Sequence, residues 1–272
     1  MKTAKSEDKL LAVVGSPRSG STATFWALRK ASKLFGIPEP DNSNMTQWQS
    51  EDVRNICEPL LQTNTQLGVY GLAEHLISCG VNLAKLMVGE DPQLCLKMST
   101  LPLLVECGLT SGVVINYREN IFKQALSMGI AFETKWWHGD PEDFKNVEIG
   151  KLPTTQFERH LGLFKSYNDF VVSMSYYTSK KDKLFICKYE DFFEDQGNQE
   201  AMWKSLVQFL GYDYDSQILE QVNAKRYNGP HTYSRIENLS ELEDIYEKFV
   251  RSDSERLSQL TSLPQLYGGK VG

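Results

Sequence analysis

The run from Leu10 to Trp26, Leu-Leu-Ala-Val-Val-Gly-Ser-Pro-Arg-Ser-Gly-Ser-Thr-Ala-Thr-Phe-Trp, constrains this chain more than any other stretch. Its first half is apolar and β-branched between Lys9 and Gly15, the pattern of a buried strand. A Gly/Ser/Pro turn then opens directly into residues with helical periodicity. Strand, tight loop and helix in direct succession bring helix-start N–H groups and their dipole to a loop whose glycines let the backbone approach an anion. The segment is suited to hold a phosphate or a sulfate. A Gly-x4-Gly spacing by itself is better read as a turn that binds nothing.

Gly15 and Gly20, followed by Ser21 and Thr22, nearly match the nucleotide triphosphatase pattern G-x-x-x-x-G-K-[ST]. Ser21 stands where that pattern has its lysine, so the cation that reaches the outer phosphates of ATP is missing. Arg18 is the positive side chain of the loop. Pro17-Arg18-Ser19-Gly20-Ser21-Thr22 resembles the 5′-phosphosulfate loop of the sulfotransferases that use 3′-phosphoadenosine 5′-phosphosulfate (PAPS), typically Pro-[Lys/Arg]-Ser-Gly-[Ser/Thr]-Thr. The segment Val113 to Ser127 resembles that family's strand–Arg–helix–Ser stretch for the 3′-phosphate, with Arg118 leaving the strand and Ser127 on the helix that follows. Tyr189-Glu190-Asp191 resembles the family's Tyr-Glu-Asp turn. The family's carboxyl-terminal basic loop is not matched, Lys225-Arg226-Tyr227-Asn228-Gly229 being the nearest stretch.

The resemblance implies an α/β, P-loop-like three-layer fold, a central parallel sheet flanked by helices, over a single sulfotransferase domain spanning 1–272. It implies transfer of the sulfuryl group of PAPS to a hydroxyl or amine of a small-molecule acceptor, with 3′-phosphoadenosine 5′-phosphate (PAP) as product and no metal. A bacterial natural product such as a saxitoxin-type toxin is one acceptor it suggests. The cofactor residues it implies are Pro17, Arg18, Ser19, Gly20, Ser21, Thr22, Arg118, Ser127 and Tyr189. Arg18 doubles as the catalytic cation. The base is less direct: Lys97-Met98-Ser99-Thr100-Leu101-Pro102 aligns with the family's Lys-Thr-His-Leu-Pro and has Thr100 in place of the histidine. Other branches of the family use a glutamate from the loop after the first helix, which the resemblance places at Glu39, with His75 and His138 in reserve and Asp41 behind them. The competing readings are a P-loop kinase or NTPase and a non-catalytic nucleotide-binding protein.

With 272 residues the chain can bury one substantial core. A formal net charge of −6 argues against holding nucleic acid by bulk electrostatics, yet leaves room for a local basic pocket. No apolar run approaches the roughly 18–20 residues of a membrane span and the amino terminus lacks a signal-peptide core, so the expected setting is cytoplasmic, off the membrane. Five cysteines without a C-x-x-C pair are expected to be buried free thiols, and four scattered histidines carry no zinc spacing.

In chain order, the first helix is expected to end near Phe35-Gly36 with a loop over 36–47. Helices are predicted over 52–61 and 72–87, the latter with Leu72, Leu76, Leu83 and Met87 on one face. Strands are predicted at Leu94–Met98, Gly112–Tyr117 and Lys183–Tyr189, and a helix capped by Thr100 with Pro102 in its first turn. Residues 131–153, with Trp136, Trp137 and His138, read as a substrate lid or as a packed irregular loop. A long helix follows from Phe157 to Met174, and the remainder is helical and charged. Strands alternating with helices imply a parallel sheet whose ligands lie beyond the strands' carboxyl ends, where Arg18 and Arg118 both stand.

Overall fold

The computed structural model describes residues 9–38, 51, 55, 56, 70–89, 97–106, 108–135, 147–177, 181–219 and 230–262. They divide into two compact units. The larger contains Met1–Gln124 and Leu163–Tyr227, the smaller Ala125–Gly162 and Asn228–Gly272.

The larger unit is built on five parallel strands: β1 (Leu10–Gly15), β2 (Gly36–Pro38), β3 (Leu83–Met87), β4 (Thr110–Tyr117) and β5 (Leu184–Lys188), in the order β2-β3-β1-β4-β5. β1 is central, pairing with β3 from Leu11↔Leu83 to Gly15↔Met87 and with β4 from Leu11↔Gly112 to Gly15↔Asn116. All six residues of β1 are buried, as a strand covered on both faces requires. On one face Leu10, Ala12 and Val14 pack with Leu72 and Leu76 of α2 (70–78), Leu101 and Leu104 of α3 (Leu101–Glu106), and Tyr167, Val171 and Met174 of α5 (Thr154–Tyr177). On the other, Leu11 and Val13 pack with Phe25 and Leu28 of α1 (Ser21–Ser32), and with Trp203 and Leu206 of α6 (Gln199–Phe209). The result is the three-layer α/β arrangement with a P-loop-like core. β2 and β3 lie on one side of β1, β4 and β5 on the other, so the loop after β1 sits where the crossovers diverge.

Three sequence expectations are corrected. The predicted helix over 72–87 ends instead at 78, and Leu83–Met87 is a strand beside β1. A Schellman motif stops the helix: Val81 N–H donates to Leu76 O (2.9 Å) and Gly80 N–H to Ile77 O (2.9 Å), with Gly80 at φ 77°. The first helix ends at Ser32, with Lys33 at φ 57° closing it, and Gly36–Pro38 of the expected loop forms edge strand β2. Proline is tolerated at such an edge because its missing N–H interrupts no ladder. Met98–Thr100 is a 3₁₀ turn and not the end of a strand, and Thr100 Oγ1 donates to Lys97 O (2.6 Å) rather than capping α3. Leu94–Leu96, the loop beyond Pro38 and most of 52–61 lie outside the described residues.

In the smaller unit, α4 (Ile121–Thr134) continues past Gln124, and α7 (Pro230–Tyr233) precedes α8 (Leu239–Ser262). Asn238, just before α8, brackets Leu152: its Oδ1 accepts from Leu152 N–H (2.9 Å) and its Nδ2 donates to Leu152 O (3.1 Å). Gly129 of α4 gives Leu152 its seat, since a Cβ there would stand 2.9 Å from Leu152 Cδ1. Phe132 stacks on His160 with centroids 5.7 Å apart. Of the segment 131–153, residues 131–134 finish α4 and 147–153 form the irregular approach to α5, while 136–146, with Trp136, Trp137 and His138, lie outside the described residues. Cys187 is a buried free thiol but Cys79 is exposed, against expectation, because it follows the end of α2. Among the described residues no helix is long and apolar enough to cross a membrane.

Candidate functional site

The loop after β1 is shaped by two left-handed residues, Arg18 at φ 64° and Gly20 at φ 88°. Ser19 N–H closes the turn on Ser16 O at 3.3 Å. Left-handed residues in a tight turn can bring successive N–H groups toward a common concavity, the arrangement an anion nest uses. Holding arginine in that region costs on the order of 1–2 kcal/mol. Gly20 then serves as the N-cap of α1, with no side-chain hydrogen bond capping the helix and no acid in its first turn. The helix start therefore presents amides and positive dipole without an internal carboxylate competing for them. Gly15 cannot be replaced: a Cβ there would collide with Ser19 Oγ and stand 2.8 Å from Ser21 Cβ.

Polar side chains of β4 and α4 hold this loop, and two of α5 hold the strand end behind it. Gln124, fully buried, donates from Nε2 to Ser16 Oγ (2.9 Å) and to Pro17 O (2.7 Å). Asn116, fully buried at the end of β4, donates to Thr24 Oγ1 (2.8 Å), and Thr24 Oγ1 donates on to Gly20 O (3.3 Å). Tyr167 of α5 donates its hydroxyl to Asn116 O (2.9 Å), and Asn168 Nδ2 donates to Arg118 O (2.5 Å). Burial pushes the Tyr167 phenol well up, a hydrogen bond with the Ser16 backbone opposing the shift.

Arg118 leaves β4 and is buried, with its guanidinium 4.1 Å from the centre of the Tyr189 ring. Tyr189 in turn stacks on Phe193, centroids 4.8 Å apart, and this aromatic pair lies against Gly20: a Cβ there would meet Phe193 Cε2 at 2.7 Å and Tyr189 Cδ2 at 3.0 Å. One ring thus touches both the loop and Arg118. Tyr189 opens a π-helical turn, Glu190–Glu194, whose two end carboxylates face the start of α4. Glu190 accepts from the Glu119 N–H (3.1 Å) and Asn120 N–H (2.9 Å), while Glu194 pairs with Arg118 Nη2 and Lys123 Nζ, each at 3.1 Å. The strand-end lysine, Lys188, is raised by its hydrogen bond to Glu119.

The structure brings Pro17, Arg18, Ser19, Gly20, Ser21, Arg118 and Tyr189 into one neighbourhood through these contacts. Ser19 and Ser21 are buried, and Thr22 is half-buried in the first turn of α1. Ser127 is buried on α4 in the smaller unit. Glu39, Asp41, His138 and the stretch 225–229 lie outside the described residues. His75 Nε2 sits 2.8 Å from Ile56 O and 3.8 Å from Cys79 Sγ. Sequence reasoning did not single out Asn116, Lys123, Gln124, Tyr167, Asn168 or Glu194. Asn116 interrupts the apolar run Val-Val-Ile-Asn-Tyr, and Gln124 falls three residues after Ile121 and four before Met128, on the buried face; each was a visible signal of a polar group with a job inside. Among the described residues no cluster of three or more metal-ligating side chains occurs.

Fold and loop together define a P-loop-like α/β protein whose first loop, bent by two left-handed residues, runs directly into a helix start. No protein-family model matches the chain, and no curated protein sequence matches it. Among solved structures it is similar to mouse sulfotransferase SULT7A1 complexed with PAP, at 13% identity and a TM-score of 0.45, over 84% of this chain and 66% of that one. The chain spans just under two-thirds of that protein's length.

Proposed function

We propose that this chain is a PAPS-dependent sulfotransferase acting on a small-molecule acceptor. The observation that carries the reading is the meeting of two motifs at Tyr189, whose ring touches both Gly20 of the loop and the Arg118 guanidinium. A nucleotide with phosphates on both its 5′ and 3′ sides needs two such anion sites held at fixed spacing. Ser21 in the place of the triphosphatase lysine favours a 5′-phosphosulfate over a triphosphate. In this reading Pro17 to Thr22 hold the 5′-phosphosulfate, and Arg118 holds the 3′-phosphate.

Sulfuryl transfer is an in-line displacement. The acceptor oxygen or nitrogen forms a bond to sulfur as the bond from sulfur to the 5′-phosphate oxygen breaks, and the acceptor proton passes to a base. Charge accumulates on the departing phosphate, where the loop N–H groups, the Ser21 and Thr22 hydroxyls and Arg18 would stabilise it. Gln124 keeps those donors in place by holding Ser16 and Pro17. Glu39 is the proposed base, His138 the alternative, and segment 131–153 the proposed cover on the acceptor side of a single 1–272 domain. A saxitoxin-type natural product belongs to the acceptor panel.

The test is incubation with PAPS and a panel of phenols, alcohols, amines and natural-product extracts, read by mass spectrometry. A gain of one sulfuryl group on an acceptor, with release of PAP, is expected. Phosphoryl transfer from ATP with none of this activity would overturn the reading in favour of a kinase.

A further inference from the structure

Resting on the reading above, we propose that Glu194 is an exchangeable internal counter-ion, so that binding of the nucleotide's 3′-phosphate swaps one anion for another at Arg118 and Lys123. The two carboxylate oxygens divide between the cations, Oε1 at 3.1 Å from Arg118 Nη2 and Oε2 at 3.1 Å from Lys123 Nζ. Two cations converging on one small, two-oxygen anion present the charge and spacing that a phosphate monoester also satisfies. The partners differ in exposure: the Arg118 side chain is 5% exposed, Glu194 30% and Lys123 39%. A guanidinium so enclosed needs an anion at all times, because an uncompensated buried charge is strongly destabilising. At 30% exposure the carboxylate keeps contact with water and can rehydrate when it leaves, so the exchange never strands a second buried charge.

The turn that carries Glu194 divides the work between its ends. Glu190 caps α4 through the Glu119 and Asn120 N–H groups, and Asn120 Oδ1 accepts from Lys123 N–H (2.9 Å), so the helix start stays satisfied when Glu194 swings away. The Arg118 guanidinium stays against the Tyr189 ring. Glu194 closes the π-helical turn, a form found often at functional sites, with Asp195 N–H donating to Glu190 O at 2.9 Å immediately after it. The exchange lowers nucleotide affinity by whatever the internal pair contributes, and makes the cation pair selective for ligands charged enough to displace a carboxylate.

The experiment measures binding of adenosine 3′,5′-bisphosphate and of adenosine 5′-monophosphate to the full chain and to Glu194→Gln by titration calorimetry. Glutamine keeps the size and removes the competing charge. Bisphosphate affinity is expected to rise about tenfold, the order of one charge-assisted hydrogen bond, while the monophosphate, which lacks the 3′ group, changes less than about twofold. Adding Arg118→Ala to Glu194→Gln should abolish the gain. Should Glu194→Gln fold poorly by circular dichroism, Glu194→Asp, whose shorter arm cannot span both cations, decides the matter with a smaller gain in the same direction. Bisphosphate binding by the wild-type chain with an unchanged or lower affinity in the variant overturns the exchange and leaves the sulfotransferase reading standing. Equal gains for both nucleotides overturn it too. Absence of bisphosphate binding in every form overturns the sulfotransferase reading, and the exchange with it.

Discussion

Arg118 has a selective signature if it holds a 3′-phosphate. Arg118→Ala should weaken adenosine 3′,5′-bisphosphate by about 2–5 kcal/mol, the usual loss on truncating a desolvated charge pair, while adenosine 5′-phosphosulfate is much less affected. Calorimetric titration of both ligands checks this, and equal losses would make Arg118 a structural residue. Tyr167 supports the same strand end from behind, its hydroxyl on Asn116 O. Tyr167→Phe leaves that buried carbonyl without its donor and should lower stability by about 1–3 kcal/mol at neutral pH. The sign with pH is fixed by burial, which raises the phenol above its ordinary 10.0. Its contribution is complete below that value and is lost as pH rises toward the folded-state value, so urea denaturation should find the gap between wild type and variant narrowing above pH 10. Arg18 and Arg118 were singled out in the sequence by the resemblance of Pro17–Thr22 and Val113–Ser127 to sulfotransferase motifs, since an arginine at a strand end is by itself ordinary. Asn116 and Gln124 showed only that a polar group was buried, since the partner of a side chain is a fact of three dimensions.

Two left-handed glycines allow the loop element to be weighed against an ordinary helix stop. Gly80 closes α2 at φ 77° with nothing within 4 Å of where a Cβ would stand, so Gly80→Ala should lose only the conformational term, about 1 kcal/mol. Gly20, at φ 88°, adds contacts of 2.7 Å to Phe193 and 3.0 Å to Tyr189, both ring atoms in a stacked pair that cannot yield easily. Gly20→Ala should therefore destabilise by clearly more than Gly80→Ala in paired chemical denaturation, and equal losses would mean that the aromatic pair does not brace the loop. β1 and β4 were readable as strands because each has an apolar, β-branched centre, Leu10–Val14 and Val113–Ile115. β3 was not: Leu83 and Met87 fall at helical spacing after Leu76, and Lys85, buried between Val13 and Pro38 in the ladder, breaks the apolar run that would have signalled a strand. β2 escaped notice because three residues ending in proline carry almost no period.

For the molecule as a whole, the class was accessible from sequence because alternating strands and helices admit few topologies, and the strand order β2-β3-β1-β4-β5 is one of them. The division into two compact units was not, since α4 and α5 each run through from one unit into the other and no change of composition marks the passage. A formal charge of −6 repels an anionic ligand at long range, so the proposed nucleotide binding rests on the local donors at the loop and the strand end. The most direct measurement is thermal unfolding of the full chain with adenosine 3′,5′-bisphosphate in the absence of Mg²⁺, against Mg²⁺·ATP. A ligand that binds only the folded protein stabilises it by about 2.7 kcal/mol at one hundred times its Kd, so the bisphosphate should raise the midpoint in a concentration-dependent way. Stabilisation by Mg²⁺·ATP with none by the bisphosphate would contradict the phosphosulfate loop.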